Sequence, residues 1–502
     1  MTYSRENGGR VLLLFLLFLL ALYQLTHAGF QPFALVCMVP LLILAIYCAF
    51  RWRMSTFWML IFVNYFIQMK DISESISFPV SLPNEMLQII LLAIAIVDAR
   101  EKPHFERAAN LMLFSLVVWC GFCTLEILND TCNLGINIGS WYTGARLMAF
   151  QLLYAFLVFS IYISTPENLL KYLKIWGALA LFSAFWVWKQ KTYGFTTSES
   201  IWMETRGRVT HILNAGTLIR YFSTFSDAAN YGCNAAATAA AFIIFAITTK
   251  INKLRIFFTI VSVLVIYGMF QSGTRTAIFC LAAGLMVYVI LSKSIKIAVP
   301  FSIVFAFFAF ILVFTKIGEG NQQIRRMRSA FNKDDASMNV RDMNQEVMKK
   351  YIQDAPWGIG IGMNPENVPA NNKYRKLATI PPDSEYVFIW LRTGPIGITI
   401  FIITMLIMLA GACWTVLFRL KNKSLIGVGG GFCCAFVAIQ LGGYANQVLM
   451  QFPNCLIFYG GLSIVYVLPY LEPAWIEYEN KQLAEQAEKK RLKLEKKLAS
   501  RV

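Results

Sequence analysis

Charge is scarce in this chain of 502 residues: 15% are Asp, Glu, Lys or Arg against 57% hydrophobic, and the mean hydropathy is +0.56. That leaves too little polar surface to cover a water-soluble globule, so the soluble class is excluded before any motif is sought. Histidine is almost missing, with three in the whole sequence and none between Lys316 and Pro382. The two-residue alternation of barrel strands is absent too, and membrane spans must satisfy their backbone internally, so these spans are expected to be helices. There is no disulfide framework. The eleven cysteines lie almost entirely inside apolar runs, as Cys37, Cys280 and the pair Cys433 and Cys434 do, where a thiol behaves as a small hydrophobe. Cys120 and Cys123 form a C-x-x-C, but the surrounding LVVWCGFCTLEIL is membrane core, which speaks against metal or redox use. No internal repeat and no inverted pair of broken helices, the mark of many transporters, is visible.

What is there is a series of apolar runs of membrane length. They begin near Val11, Phe33, Thr56, Leu87, Ala108, Leu147, Ile175, Asp227, Ile256, Thr276, Ala298, Ile396, Leu425 and Cys455, which gives about fourteen spans. The net charge of +17 invites a nucleic-acid reading, yet the basic residues sit in short gaps between runs and in the last thirty residues. That is the positive-inside pattern, and no nucleic-acid partner is expected. Arg5 and Arg10 precede VLLLFLLFLLALY without a small-residue cleavage site, so the first helix is read as uncleaved, with its N-terminus in the cytoplasm. Every even gap is then short, basic and inner, while the polar intervals 71–85, 129–146, 189–226 and 316–382 face outward. The resulting division is a polytopic transmembrane domain, 1–475, an outer loop, 189–226, a large outer loop, 316–385, and a basic cytoplasmic helical tail, 476–502. The tail reads most simply as a solvated helix against anionic headgroups.

The large loop carries Trp357, Ile359, Ile361, Met363, Tyr374 and Tyr386 among glycines, the composition of a packed segment and not of a tether. It also breaks the positive-inside pattern, with eleven Lys or Arg against seven Asp or Glu between Lys316 and Pro382. Basic residues on an outer face want an anionic partner.

Four outward clusters carry possible chemistry. In LIRYFSTFSDAANYG, Arg220 precedes Asp227, which stands at a helix start. An interfacial Arg with a capping Asp and a ligand site explain that equally well. In QSGTRTA, Arg275 lies in a very short turn between apolar helices, where it either snorkels to the interface or marks a pathway. Arg341 lies in NVRDMNQEVMKKYIQDAPWGIGIGMN, read as an amphipathic helix with Met343, Val347 and Tyr351 on one face. The glycine turn after it holds Gly358 and Gly360, whose amides are suited to cradle an anion. In PPDSEYVFIWLRTGPIG, Asp383 and Glu385 stand before a membrane-entering helix, as an N-cap or as acid–base groups. His211 is a fallback base.

Taken in order, Arg220 ahead of FSDAAN, SGTR opening a helix, Arg341, PWGIGIG and DSEYVFIWLRTGPIG resemble the O-antigen ligase and polysaccharide polymerase superfamily across residues 220–397. The resemblance implies an all-α, polytopic helical membrane protein (GT-C-like) of about 12 to 14 transmembrane helices with a large outer loop. It implies a glycosyltransferase of the bacterial inner (cytoplasmic) membrane, both termini cytoplasmic, its active site facing the periplasm. Such an enzyme moves an oligosaccharide from undecaprenyl pyrophosphate to a glycan acceptor, either a carrier-linked repeat unit or lipid A core, with no cofactor and no metal. Arg220 and Arg341 would hold the pyrophosphate, Arg275 would support them, and Asp383 would orient or deprotonate the acceptor. Glu385, Asp227, Gly358 and Gly360 would line the substrate. Ligases of this family usually carry His-Asn where this chain has Asp383 and Ser384, which leans the reading toward a polymerase. Other readings are a transporter or flippase for the lipid-linked oligosaccharide, disfavoured by the lack of midplane charge, and a protein O-oligosaccharyltransferase.

Overall fold

The structure is a computed structural model that describes residues 3–27, 43–76, 79–97, 104–213, 218–292, 336–380, 382 and 384–499, with scattered positions between 299 and 328. The longer helices are α1 (Tyr3–His27), α2 (Arg53–Phe66), α3 (Leu82–Val97), α4 (Leu111–Leu125), α5 (Ile138–Tyr162) and α6 (Pro166–Tyr193). They continue as α7 (Ala228–Thr248), α8 (Asn252–Gln271), α9 (Arg275–Leu291), α10 (Ala336–Ile352), α11 (Glu385–Trp414), α12 (Lys423–Ala445) and α13 (Asn454–Ala499). Among the described residues the only strands are β1 (Ile212–Leu213) and β2 (Leu218–Ile219), an antiparallel pair. Eight helices of the described residues are long and apolar enough to cross a membrane, and the chain is an all-α multi-pass membrane protein. The runs expected from Phe33 and Ala298 fall largely outside the described residues, and α3 and α9 are apolar but shorter than 18 residues.

The centre of the bundle is built on small residues. α7 reads AANYGCNAAATAAAF and α12 reads GVGGGFCCA, so neighbouring backbones approach closely without a hydrophobic drive that lipid would cancel. A Cβ at Gly431 would come within 2.4 Å of Phe245, and one at Gly284 of α9 within 2.8 Å of the Cys434 carbonyl. Aromatic rings fill the space beside this seam: Trp176 stacks on Phe432 at 5.7 Å and meets Phe242 edge-on at 4.9 Å.

Two departures from the hydropathy reading have one cause. The hydropathy pattern puts Glu85 and Arg146 at the ends of polar loops, whereas Glu85 lies in α3 and Arg146 inside α5, where a π-helical turn spans Arg146–Phe150. Both are buried and pair at 3.2 Å, and Tyr142 Oη donates to Glu85 at 3.2 Å. A hydropathy window counts two charges as two interruptions, whereas a desolvated pair behaves as one neutral unit.

The 336–380 stretch is packed. Met348 and Ile352 of α10 bury with Ala355, Ile359, Val368, Tyr374 and Leu377 against Cys132 and Leu391. The buried face of α10 is thus centred on Met348 and Ile352; Met343 is 67% exposed, and Val347 and Tyr351 flank the contact. α13 continues without a break from the last apolar run into the charged tail.

Candidate functional site

The link between α12 and α13, residues 446–453, gathers four helix starts. At α7, Asn230 Nδ2 donates to Gln451 Oε1 and to the Phe452 carbonyl, both at 3.0 Å. At α9, Asn446 Nδ2 reaches Thr276 Oγ1 at 3.5 Å. At α11, the Leu449 amide donates to Glu385 Oε2 at 3.0 Å, and Ser384 Oγ donates to the Gly443 carbonyl at 3.1 Å. At α13, Asn454 Nδ2 donates to Asn230 Oδ1 at 2.6 Å and to the Val448 carbonyl at 2.8 Å. The C-termini of α8 at Gln271 and of α12 at Ala445 lie at the same end, so helix starts and helix ends alternate there and their half-charges largely offset. Thr274 and Ser384, the N-caps of α9 and α11, make no side-chain capping bond, which leaves the first amides of both helices without that partner.

Three arginines meet at the turn before α9. Arg220 donates from Nε to the Ser272 carbonyl at 3.2 Å and from a terminal nitrogen to Thr274 Oγ1 at 3.0 Å. Its other terminal nitrogen donates to the Thr210 carbonyl at 2.9 Å. Arg326, on the short helix Gln322–Arg328, donates from Nε to the Gly273 carbonyl at 2.7 Å. Arg275 is the first residue of α9 itself. The turn can lie against α7 because Gly232 faces it, where a Cβ would come within 2.4 Å of Ser272 Oγ. A cation at the first position of α9 opposes that helix's dipole, whereas Arg220 and Arg326 donate to carbonyls just past the C-terminus of α8, where guanidiniums are favourable. Burial pulls the Arg220 pKa below its usual value, with Asp227 working the other way and Arg275 in the same direction.

Asp227 caps α7: its Oδ1 accepts the amides of Ala229 at 2.7 Å and Asn230 at 2.9 Å, and Oδ2 accepts from Ser226 Oγ at 3.0 Å. Lys70 lies beneath, donating to the Ser226 carbonyl at 2.7 Å with its ammonium 3.9 Å from the Trp202 ring centroid. Burial lowers its pKa to about 8, partly offset by Asp227.

Several expected roles change with the geometry. His211 is buried, and its Nε2 accepts the Ala228 amide at 3.0 Å. The Nδ1 proton therefore points toward the Gly207 carbonyl at 3.2 Å, and no lone pair is left to act as a base. Burial first, then Arg220, pushes its pKa down to about 4. Glu385 is 3% exposed with its carboxylate on the Leu449 amide, so it anchors the 446–453 link and presents nothing to a ligand in this conformation. The glycine turn is likewise committed. The Gly358 amide donates to the Ala355 carbonyl, and those of Ile359 and Gly360 donate to the Leu391 and Arg392 carbonyls at 3.0 Å. Those two carbonyls lack helical partners because α11 breaks at Gly394 (φ 66°, ψ −174°) ahead of Pro395. Gly358 and Gly360 thus back a helix kink in place of cradling an anion.

Arg341 belongs to α10, but its side chain lies outside the described residues, as does Asp383. Ser384, the next residue, sits on the same 443–451 stretch that touches Thr276. Sequence reasoning missed Arg326, one of eleven basic residues in its loop, and the link itself. The available signal for the link was the spacing of Asn446, Gln451 and Asn454 across a gap too short to need them as solvent cover.

No curated protein matches the chain. Residues 260–402, which run from α8 into α11 and include Arg275, Arg326 and Arg341, match the family model described as O-antigen ligase. That match supports membership of the O-antigen ligase and polymerase superfamily, and with it a ligase- or polymerase-type role in surface polysaccharide synthesis.

Proposed function

We propose that the protein transfers an oligosaccharide from undecaprenyl pyrophosphate to a glycan hydroxyl at the outer face of the bacterial inner membrane, acting as a polysaccharide polymerase. The observation that carries this is the turn 272–275, where Arg220 and Arg326 converge on the start of α9 beside Arg275. Guanidiniums gathered at a turn that also opens a helix make a basic surface suited to an anionic partner. A diphosphate supplies that partner, because guanidiniums bind its oxygens in bidentate, permanently charged contacts. One such pair gives up to about 4 kcal/mol of gross Coulomb energy at an effective dielectric of 20.

In this reading the acceptor oxygen forms a bond to the anomeric carbon as the bond from that carbon to the pyrophosphate oxygen breaks. The electron pair leaves with the pyrophosphate, where Arg220, Arg275 and Arg341 meet the growing charge. The acceptor proton passes to the Asp383 carboxylate. Arg326 joins the donor-binding set on the strength of its contact with Gly273. Asp227 acts through the cap of α7, which positions the Arg220 turn. The guanidiniums supply the counter-charge that a divalent metal supplies in other transferases, so turnover is expected to persist in EDTA.

The surface glycan of a deletion strain tests the reading. A polymerase loss leaves single repeat units on lipid A. Full chains stranded on the carrier would replace polymerase by ligase, and unchanged glycan would reject both.

A further inference from the structure

At the end of the bundle away from the arginine turn, a cavity of about 110 Å³ opens between the start of α6, the start of α8 and the charged part of α13. The rise along α13 from Asn454 to Tyr478, about 36 Å, separates the two ends by a little more than a hydrocarbon core. The cavity therefore lies at the opposite membrane boundary.

Its walls are cationic from three directions. Lys174 comes from α6, Lys253 from α8 and Lys489 from α13, and the one carboxylate in the lining is Glu485. Among the described residues none of these three lysines forms an ion pair, whereas Lys250 beside them is matched by Glu479 at 2.9 Å. The helix α8 adds to the field, because its N-cap is Ile251, which has no side chain able to accept from the first amides. Along α13 the lining residues Gln482, Glu485, Gln486 and Lys489 fall at helical spacing, so one face of the tail closes the cavity. Gln482 and Gln486 supply neutral donors beside the lysines.

We propose that this cavity binds a phosphate group, and that its occupant fastens the first turns of the tail to the foot of α6 and α8. A net excess of two positive charges among the lining side chains, from three lysines and one glutamate, matches one phosphate mono- or diester. The position at a membrane boundary fits a phosphate carried on a lipid headgroup, and the small volume also admits inorganic phosphate.

The test uses the full-length protein purified in detergent and native mass spectrometry after exposure to phosphatidylglycerol or phosphatidylcholine. The expected result is one retained phosphatidylglycerol per chain and no retained phosphatidylcholine. The combined variant Lys174→Ala, Lys253→Ala and Lys489→Ala should weaken retention on the order of a hundredfold. A variant of equal charge loss at exposed positions outside the lining, Lys421→Ala, Lys481→Ala and Lys490→Ala, should retain it. Thermal midpoints of both variants, expected to stay near that of the parent, establish that each is folded. Inorganic phosphate that displaces the lipid and slows tryptic cleavage at the tail identifies the free ion as a competent occupant. Lipid retention unaffected by inorganic phosphate assigns the site to the headgroup. Equal retention by the cavity variant and its parent, or equal loss in the control variant, overturns the proposal.

Discussion

Glu85 and Arg146 show how a single residue decides a local reading. Removing one partner strands the other charge in an apolar surround, so Arg146→Ala should cost about 3–5 kcal/mol, while Glu85→Gln with Arg146→Met should recover most of it. Thermal unfolding in detergent checks both. His211 has the opposite logic, because it is held neutral. Its folded pKa near 4 lies below the ordinary 6.5, so the stability it contributes is complete above about pH 6.5 and disappears as pH falls through about 4. The parent should lose up to about 3 kcal/mol across that window. His211→Gln, which keeps an acceptor for the Ala228 amide, should show a flat limb there. Arg220→Lys tests the transfer reading at this scale: a lysine cannot span Ser272, Thr274 and Thr210 together, so transfer should fall tenfold or more, and the melting midpoint should drop as well by the loss of charged hydrogen bonds, each on the order of 1.5–3 kcal/mol. What composition made legible here was residue type and order. It was silent on direction: Glu385 and Asp383 read as equals, but the first spends its carboxylate on a backbone amide, a fact set by a segment 64 residues downstream.

Among the elements, α11 and the glycine turn depend on each other. Gly358 has φ +75°, and a Cβ there would come within 2.5 Å of the Arg392 carbonyl carbon and the Gly394 nitrogen. Gly358→Ala is therefore strained in backbone and in space together, and should lower the thermal midpoint and uncouple the turn from the kink. Increased proteolysis between Ile352 and Tyr374 would report the second effect. The existence of most helices was legible, because each is a long apolar run. Their ends were not, since α5 begins at Ile138, well before the apolar run that starts near Leu147. The amphipathic face of α10 was legible only to within one residue: Met348 and Ile352 outrank Met343 because the partner is the Cys132 and Leu391 surface, which no local pattern announces.

For the whole molecule, the distribution of Lys and Arg predicts which end of the bundle meets the cytoplasm. A fluorescent protein fused after residue 499 should mature, and alkaline phosphatase at the same site should stay inactive; the reverse pair of results would invert the membrane. The two ends also differ in kind. One gathers helix starts, arginines and amide side chains; the other gathers lysines around the foot of three helices. The gathering of basic residues in the short gaps between apolar runs was legible from charge counts. The convergence was not, because four helix starts from positions 227 to 454 meet at a link whose own sequence, NQVLMQFP, carries no charge.

That uncharged link has a consequence for how such an enzyme can be tuned. In the transfer reading, the helices that bear the leaving-group side and the helix that follows the acceptor-side carboxylate all lean on the same eight residues, 446–453. A shift in this seam moves both halves of the reaction as one body, so selectivity for donor and for acceptor would rise or fall together. Separate adjustment has to come from outlying parts, such as the short helix of Arg326, which reaches the turn before α9.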